Sequence, residues 1–472
     1  MSMTDLTGTE APDTGTPRAN PLYFAIWRWH FYAGLFVVPF LLMLAVTGFF
    51  MMWFTAIAPE YGDRLVVEPA AAPMTLAEQE MAALAAVPGA TGLAGYTAPY
   101  DTATPALFSV LDAEGGEQVV ALDPYLGHAL RVTADGNTWN AFAEKIHGTL
   151  LIGTLGDRLI EIAACLGLFL LASGLYLWWP RGAGTARDLL VPRLSARGRS
   201  LWKSLHAVTG AWTAVLLAFF FVTGLAWAGV WGEKFVQAWS TFPAEKWDNV
   251  PLSDATHASM NHAEKEVPWA LEQTPMPASG SAAGVTGLPE GTPVTLAAVV
   301  ELARQIGFAG RFRLSPPVDE AGVWTMAQDS MSYDSPDPMS DRTVHVDQYT
   351  GRILADVRFA DYSVAGKAMA VGIALHEGQT GLWNVILNGL FCLAVVLLCV
   401  SGIVMWWLRR PAKAMRLAAP PRPQAVPLAR GVMLIALLLS MAFPMLGLTL
   451  LAVITVDLVI LSALPGLKRA LS

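Results

Sequence analysis

Ser173-Gly-Leu-Tyr-Leu-Trp-Trp179 returns later in the chain as Ser401-Gly-Ile-Val-Met-Trp-Trp407, and both close apolar runs that stop against arginine, at Pro180-Arg181 and at Arg409-Arg410. Paired tryptophans followed at once by arginine read as a helix leaving hydrocarbon through an interfacial aromatic belt; electron relay is the lesser alternative. Working outward, His147 precedes Ser173 by 26 residues and His376 precedes Ser401 by 25. His30 precedes Thr47-Gly48 by 17, and His206 precedes Thr223-Gly224 by the same 17. The pattern is one unit used twice, in which a span leads out to a water-facing domain and a second span leads back.

Composition agrees. Hydrophobic residues make up 54% of the 472 and charged residues 14%, with mean hydropathy +0.45, against about 25% charged in soluble domains. Apolar runs at 31–57, 159–179, 207–231 and 383–408 are each long enough for a hydrocarbon core about 30 Å thick. A further run at 431–465 would reach about 52 Å as one helix, so Pro444 and Gly447 are read as a turn between two short spans, six in all. Cys165, Cys392 and Cys399 all lie in apolar stretches and act as small hydrophobes, without a disulfide framework.

Basic residues orient the chain. Arg181, Arg187, Arg193, Arg197, Arg199 and Lys203 face the single acid Asp188 in 181–205, and 409–430 holds six basic residues and no acid. Both linkers are expected in the cytoplasm. The segment 58–146 has three basic residues against twelve acidic ones, so it should lie outside, as should 232–375. Lys468 and Arg469 put the end inside. The expected order is a disordered cytoplasmic tail 1–20, spans at 21–57, 147–180, 206–231 and 376–408, and two short spans in 431–465. Residues 1–20 lack the apolar region of a cleaved signal, so the first span would serve as the targeting signal.

The two outer segments repeat as well. Thr75-Leu76-Ala77 and Thr295-Leu296-Ala297 each open a helical pattern, followed 48 and 52 residues later by the turns Asp123-Pro-Tyr-Leu-Gly127 and Asp347-Gln-Tyr-Thr-Gly351 between β-rich runs. Asp bonds its own turn and Gly accepts positive φ, which makes Asp-x-x-x-Gly a hairpin signal. Each segment is therefore expected to be a small α+β domain.

Topology pairs His30 with His206 on the cytoplasmic side and His147 with His376 on the outer side. Two facing imidazoles are the axial ligation of a low-spin b-type haem, and a flat macrocycle fits between helices; the bland alternative is four interfacial polar residues. Gly34 and Gly210 each follow a histidine by four residues, one turn along the same face, where a missing side chain leaves room for a ring. Arg28 and Lys203 could neutralise propionates or merely satisfy the charge rule. Residues 148–158 are expected to form an interfacial helix carrying the outer haem near the surface. Asp157, Arg158 and Glu161 cluster there, either functional or stabilising the helix start, and Asp457 lies deep in the last apolar run. His257, Met260 and His262 read as loop residues, with a soft-metal site as the alternative. Trp269 to Met276 is expected to be exposed and able to contact a ligand.

These motifs, with Trp27-Arg-Trp-His30, resemble the PepSY-associated transmembrane helix family from Leu22 to Leu464. The family includes iron-regulated membrane proteins and ferric-siderophore reductases. The resemblance implies a haem-bearing protein of the bacterial inner membrane with two PepSY domains in the periplasm, passing electrons from the inner side to a ferric chelate outside; beside the four-span core, the C-terminal helical hairpin of 431–465 is a departure from smaller members of the family. Two haem b groups and a membrane oxidoreductase activity follow as expectations. No Gly-x-Gly-x-x-Gly after a strand and no P-loop occurs, so a separate flavoprotein or the quinone pool must supply electrons. Nothing suggests nucleic acid. Two rivals stand beside this reading: a permease, which needs polar or broken helices near the midplane, and a regulatory module whose PepSY domains restrain a protease.

Overall fold

The computed structural model describes residues 21–180, 186–261, 267–410, 417–421, 430–456, 459, 463 and 464. The expected tail 1–20, Arg181, His262, Asp457, Lys468 and Arg469 lie outside the described residues.

The chain begins with α1 (Pro21–Met52), which ends in a π-helical turn (Trp53–Ile57), and continues through α2 (Leu76–Ala85), β1 (Gly92–Thr97), β2 (Ala106–Leu111), β3 (Glu117–Leu122) and β4 (Ala129–Ala134). Helices α3 (Trp139–Thr149), α4 (Thr154–Trp178), α5 (Ala186–Leu190) and α6 (Gly198–Leu225) follow. After a second π-helical turn (Trp231–Gln237) come α7 (Ala238–Ser240), β5 (Leu252–Thr256), β6 (Pro275–Pro277), α8 (Leu296–Gln305), β7 (Arg313–Ser315), β8 (Val323–Gln328), β9 (Arg342–Asp347) and β10 (Ile353–Arg358). The chain closes with α9 (Val364–Glu377), α10 (Leu382–Arg409), α11 (Arg430–Ala442) and α12 (Pro444–Thr455).

Four helices are long and apolar enough to cross a membrane: Pro21–Ile57, α4, α6 and α10. The first and third start nearer the chain's beginning than their apolar runs do, because the aromatic stretch before His30 and the basic stretch before His206 continue the helix. Helix α1 packs on α4 and α10, and α6 packs on the same two, so α1 and α6 face each other across a four-helix ring. Between α4 and α6 the fit is tight, since a Cβ added at Gly167 would lie 2.3 Å from the Phe221 ring.

The interfacial helix expected over 148–158 is displaced. Helix α3 ends at Thr149, and Leu150 and Leu151 take positive φ, so the glycine-rich stretch forms a sharp turn instead of a helix. His147 then stands in the last turn of α3. His376 stands likewise in the last turn of α9, before the turn Gly378–Gly381.

The outer segments share one sheet. Its antiparallel order is β10-β9-β8-β7-β1-β2-β3-β4, four strands from each segment. The halves join where Tyr96 pairs with Leu314 and Thr97 with Arg313. Helices α2 and α8 meet each other over a single core that includes Phe108 and Leu122 from one half and Phe312 and Met326 from the other. Two expected domains are thus one body, because β1 and β7 would otherwise present bare edges. The start and turn signals hold: Thr75 caps α2 in a reciprocal box with Glu78, Thr295 caps α8, and Asp123 and Asp347 accept bonds from the turns ending at Gly127 (φ 68°) and Gly351 (φ 66°).

Helices α11 and α12 form a hairpin broken at Phe443-Pro444. At 13 and 12 residues each is shorter than a full crossing of about 20 residues. Its tip is anchored where Trp231 donates to the Ala442 carbonyl at 2.9 Å and stacks on Phe443.

Candidate functional site

Each of the four paired histidines meets a small hydroxyl residue followed by glycine on a facing helix. His30 Nδ1 lies 2.8 Å from Ser173 Oγ, His206 Nδ1 2.9 Å from Ser401 Oγ, His147 Nδ1 2.8 Å from Thr47 Oγ1, and His376 Nδ1 2.7 Å from Thr223 Oγ1. The hydroxyl hydrogens are already committed to their own helices, at the carbonyls of Phe169, Leu398, Met43 and Phe219 respectively. With those hydrogens on the helix carbonyls the oxygens accept, which assigns the Nδ1–H tautomer to each imidazole. His206 Nδ1 also reaches the Leu398 carbonyl at 3.1 Å, which can only accept. Every Nε2 is thus left with its lone pair, the state of a metal-ligating histidine whose other nitrogen is fixed by a partner.

The glycines complete the cradle. A Cβ at Gly174, Gly48, Gly224 or Gly402 would lie 3.2, 3.4, 3.4 and 3.8 Å from Cε1 of His30, His147, His376 and His206. Gly34 and Gly210, read from sequence as the room for a ring, face Leu170 and Leu398 at 3.9 and 3.6 Å and are helix-packing contacts. The glycines that clear the histidines sit in the Ser-Gly and Thr-Gly pairs.

His30 and His206 rise from the diagonal helices α1 and α6, and their ring centroids are 6.5 Å apart with planes 89° to one another. Two imidazoles sharing one metal at about 2 Å from each nitrogen have centroids roughly 6 Å apart, so the pair fits an iron between them. His147 and His376 reach over the opposite end of the bundle, close enough for the charge of one to bear on the other. Phe220 covers the His376 ring at 4.5 Å and stacks on Phe391 at 4.3 Å.

Arg28 is engaged elsewhere, donating to the Pro420 carbonyl at 2.6 Å and to Tyr32 Oη at 2.7 Å; Lys203 is exposed. The acid cluster near α4 has a structural partner. Glu161 accepts from the backbone of Val230 and Trp231, Asp157 from Gly229, and Arg158 bridges both carboxylates. Together they cap the π-helical turn that follows α6. Trp178, Trp212 and Trp406 each donate to a backbone carbonyl of the adjoining linker, as belt tryptophans do.

Two expectations for the outer segment are overturned. His257 is not an exposed loop residue: it is 1% exposed and meets the equally buried His345, Nε2 to Nε2, at 2.9 Å. Thr274 O can only accept from His257 Nδ1, at 2.7 Å, so His345 donates from Nε2 and takes the Thr325 hydroxyl's hydrogen at Nδ1. Burial pushes His257 down to about 4 and His345 well below the usual histidine range. His345 drew no notice in the sequence, although its place on the inward face of a β-run was a signal. Trp269 is 2% exposed, and its indole donates to the Ala226 carbonyl at 2.9 Å. It anchors the outer body on the end of α6 instead of offering a contact surface.

The loop from Asp329 to Asp341 joins β8 to β9 and carries a second charged group. Arg313 pairs with Asp329 at 2.7 Å, and Arg311 with Asp334 at 3.2 Å. Burial, then the neighbouring Asp329 charge, lifts Asp341 to about 8; burial lifts Asp334 to about 7. Tyr333 of this loop donates to Thr55 Oγ1, in the π-helical turn that ends α1, 2.6 Å away.

No curated protein matches the chain. The family model described as the PepSY-associated TM region matches residues 27–409, which spans the four long helices and the outer body. The chain is a membrane protein belonging to the PepSY-associated TM region family.

Proposed function

We propose that this protein is a transmembrane electron conduit with two b-type haems, one held by His30 and His206 and the other by His147 and His376. The observation that carries this is the fourfold Ser/Thr-to-histidine bond, which occupies Nδ1 and leaves Nε2 of each ring for a ligand. Non-covalent attachment follows, since Cys-x-x-Cys-His is absent from the sequence. When bound, the haems would supply one-electron chemistry. The chain's own residues fix the tautomers, clear the ring space with glycine and exclude water from the midplane with Phe220, Phe221 and Phe391.

The basic linkers support a cytoplasmic place for the His30/His206 end and a periplasmic one for the sheet, with both termini inside and α11 and α12 as two short spans. The doubled element order supports an internal duplication. On this reading electrons enter from a flavoprotein or the quinone pool and reduce a ferric chelate outside, where hard-oxygen ligands hold Fe(II) far more weakly than Fe(III). The test is absorbance of detergent-purified protein. A Soret band, an α-band sharpened by dithionite and about two haems per chain are expected; colourless protein from haem-replete cells would sink the proposal.

A further inference from the structure

Arginines at the basic end of the bundle carry unfinished business. Arg409, the last residue of α10, lies over the rings of Trp27 (5.4 Å) and Phe31 (5.0 Å), which flank His30 on α1. One of its terminal nitrogens donates to the Ala418 carbonyl at 2.6 Å. Arg199 stands near the start of α6, close enough for its charge to bear on Arg409. In both, Nε is buried and has no hydrogen-bond partner, and neither pairs with a carboxylate among the described residues. A buried guanidinium donor left unused is unfavourable, and an oxyanion is the partner that such a fork takes best.

Position says which oxyanion. Arg199 precedes His206 by seven residues, two turns on the same face of α6 and about 10 Å along its axis. Arg409 follows Ser401, the residue that holds His206, by eight residues, about 12 Å along α10. Both therefore lie nearer the basic end of the bundle than the His30/His206 pair, about two turns along their helices. The positive-inside rule accounts for arginine at this membrane face, but not for two buried Nε groups without a hydrogen-bond partner.

We propose that Arg199 and Arg409 form the seat for the two propionate carboxylates of the macrocycle at the His30/His206 pair, in place of Arg28 and Lys203. This rests on the haem reading above. The same fork chemistry would take the phosphate of an anionic lipid, so the test separates the two sources.

Apoprotein, made under haem limitation in the His147→Ala, His376→Ala background so that the inner pair alone binds, is titrated with haem b and with its dimethyl ester, whose carboxylates are capped. The Soret change gives the affinities. Haem should bind about tenfold tighter than the ester, the size of one charge-assisted hydrogen bond. Arg199→Gln with Arg409→Gln should abolish that preference and leave ester affinity unchanged. Equal affinities in the parent, a preference that survives both substitutions, or an equal loss for haem and ester would each overturn the seat. So would a preference intact while bound anionic lipid, counted by native mass spectrometry, falls. A parent chain that binds neither macrocycle would overturn the haem reading itself, and the seat with it.

Discussion

A histidine's proton is decided here by a neighbour that has already used its own. Because the Ser173 hydroxyl donates to the Phe169 carbonyl, His30 must give its Nδ1–H to that oxygen, and the fixed ring is what a metal needs. Ser173→Ala should therefore weaken haem binding at the inner pair by at least about tenfold without removing it, read by haem titration; His30→Ala should remove it and leave the outer haem. An unchanged affinity in the serine variant would mean the hydroxyl is only packing. Asp341 offers a different test. Its raised value means the folded state holds the proton more tightly than the unfolded chain, so its contribution is full at low pH and is lost as pH rises through about 8. Asp341→Asn should flatten the fall in thermal stability between about pH 4 and pH 8 at little cost. Asp329→Asn, which removes the 2.7 Å partner of the half-buried Arg313 and leaves it Asp334 at 3.5 Å, should cost about 2 kcal/mol.

Helices, turns and caps were legible because they depend on neighbours in sequence. Apolar runs announced the four long helices, and Asp with Gly announced both hairpins. The ends of α1 and α6 were less so, since aromatic and basic residues prolong a helix without prolonging its apolar run. The turn after α3 was missed because leucine at positive φ leaves no compositional trace. Partners distant in sequence were hidden. Neither the β1–β7 seam nor the meeting of His257 with His345, 88 residues apart, follows from any local pattern, and Arg199 and Arg409 passed as ordinary charge bias. The histidines themselves were legible through spacing, but the glycines that serve them lay one motif away from those first suspected. Contact between α4 and α6 makes a prediction of its own. Gly167→Ala would drive a methyl into Phe221, and overpacking of this kind costs about 2 kcal/mol. A lowered melting temperature is expected, and no change would show that the helices part without cost.

At the scale of the whole molecule, direction is the testable property. On the proposed orientation, with the basic linkers inside and the sheet outside, ferric chelate would be offered on the sheet's side and reductant supplied on the other. In oriented proteoliposomes an impermeant chelator such as ferrozine should trap ferrous iron on the sheet's face alone, and replacing both His147 and His376 should stop it. Trapping on the linker side, or persistence without those histidines, would refute the conduit. The arrangement of ligands and holders adds a mechanical point. Helix α1 bears both His30, at one end, and Thr47, which holds the histidine of the other end; α6 repeats this with His206 and Thr223. Seventeen residues of continuous helix measure about 25 Å, with one backbone bond missing at Pro39 of α1, so each of these helices acts as a ruler between the two ends. Spacing cut into a covalent rod does not stretch when lipid is exchanged or the bundle loosens. Heat or detergent should thus dim the bands of each centre, as its clasp opens, long before it slows transfer between the centres that remain intact.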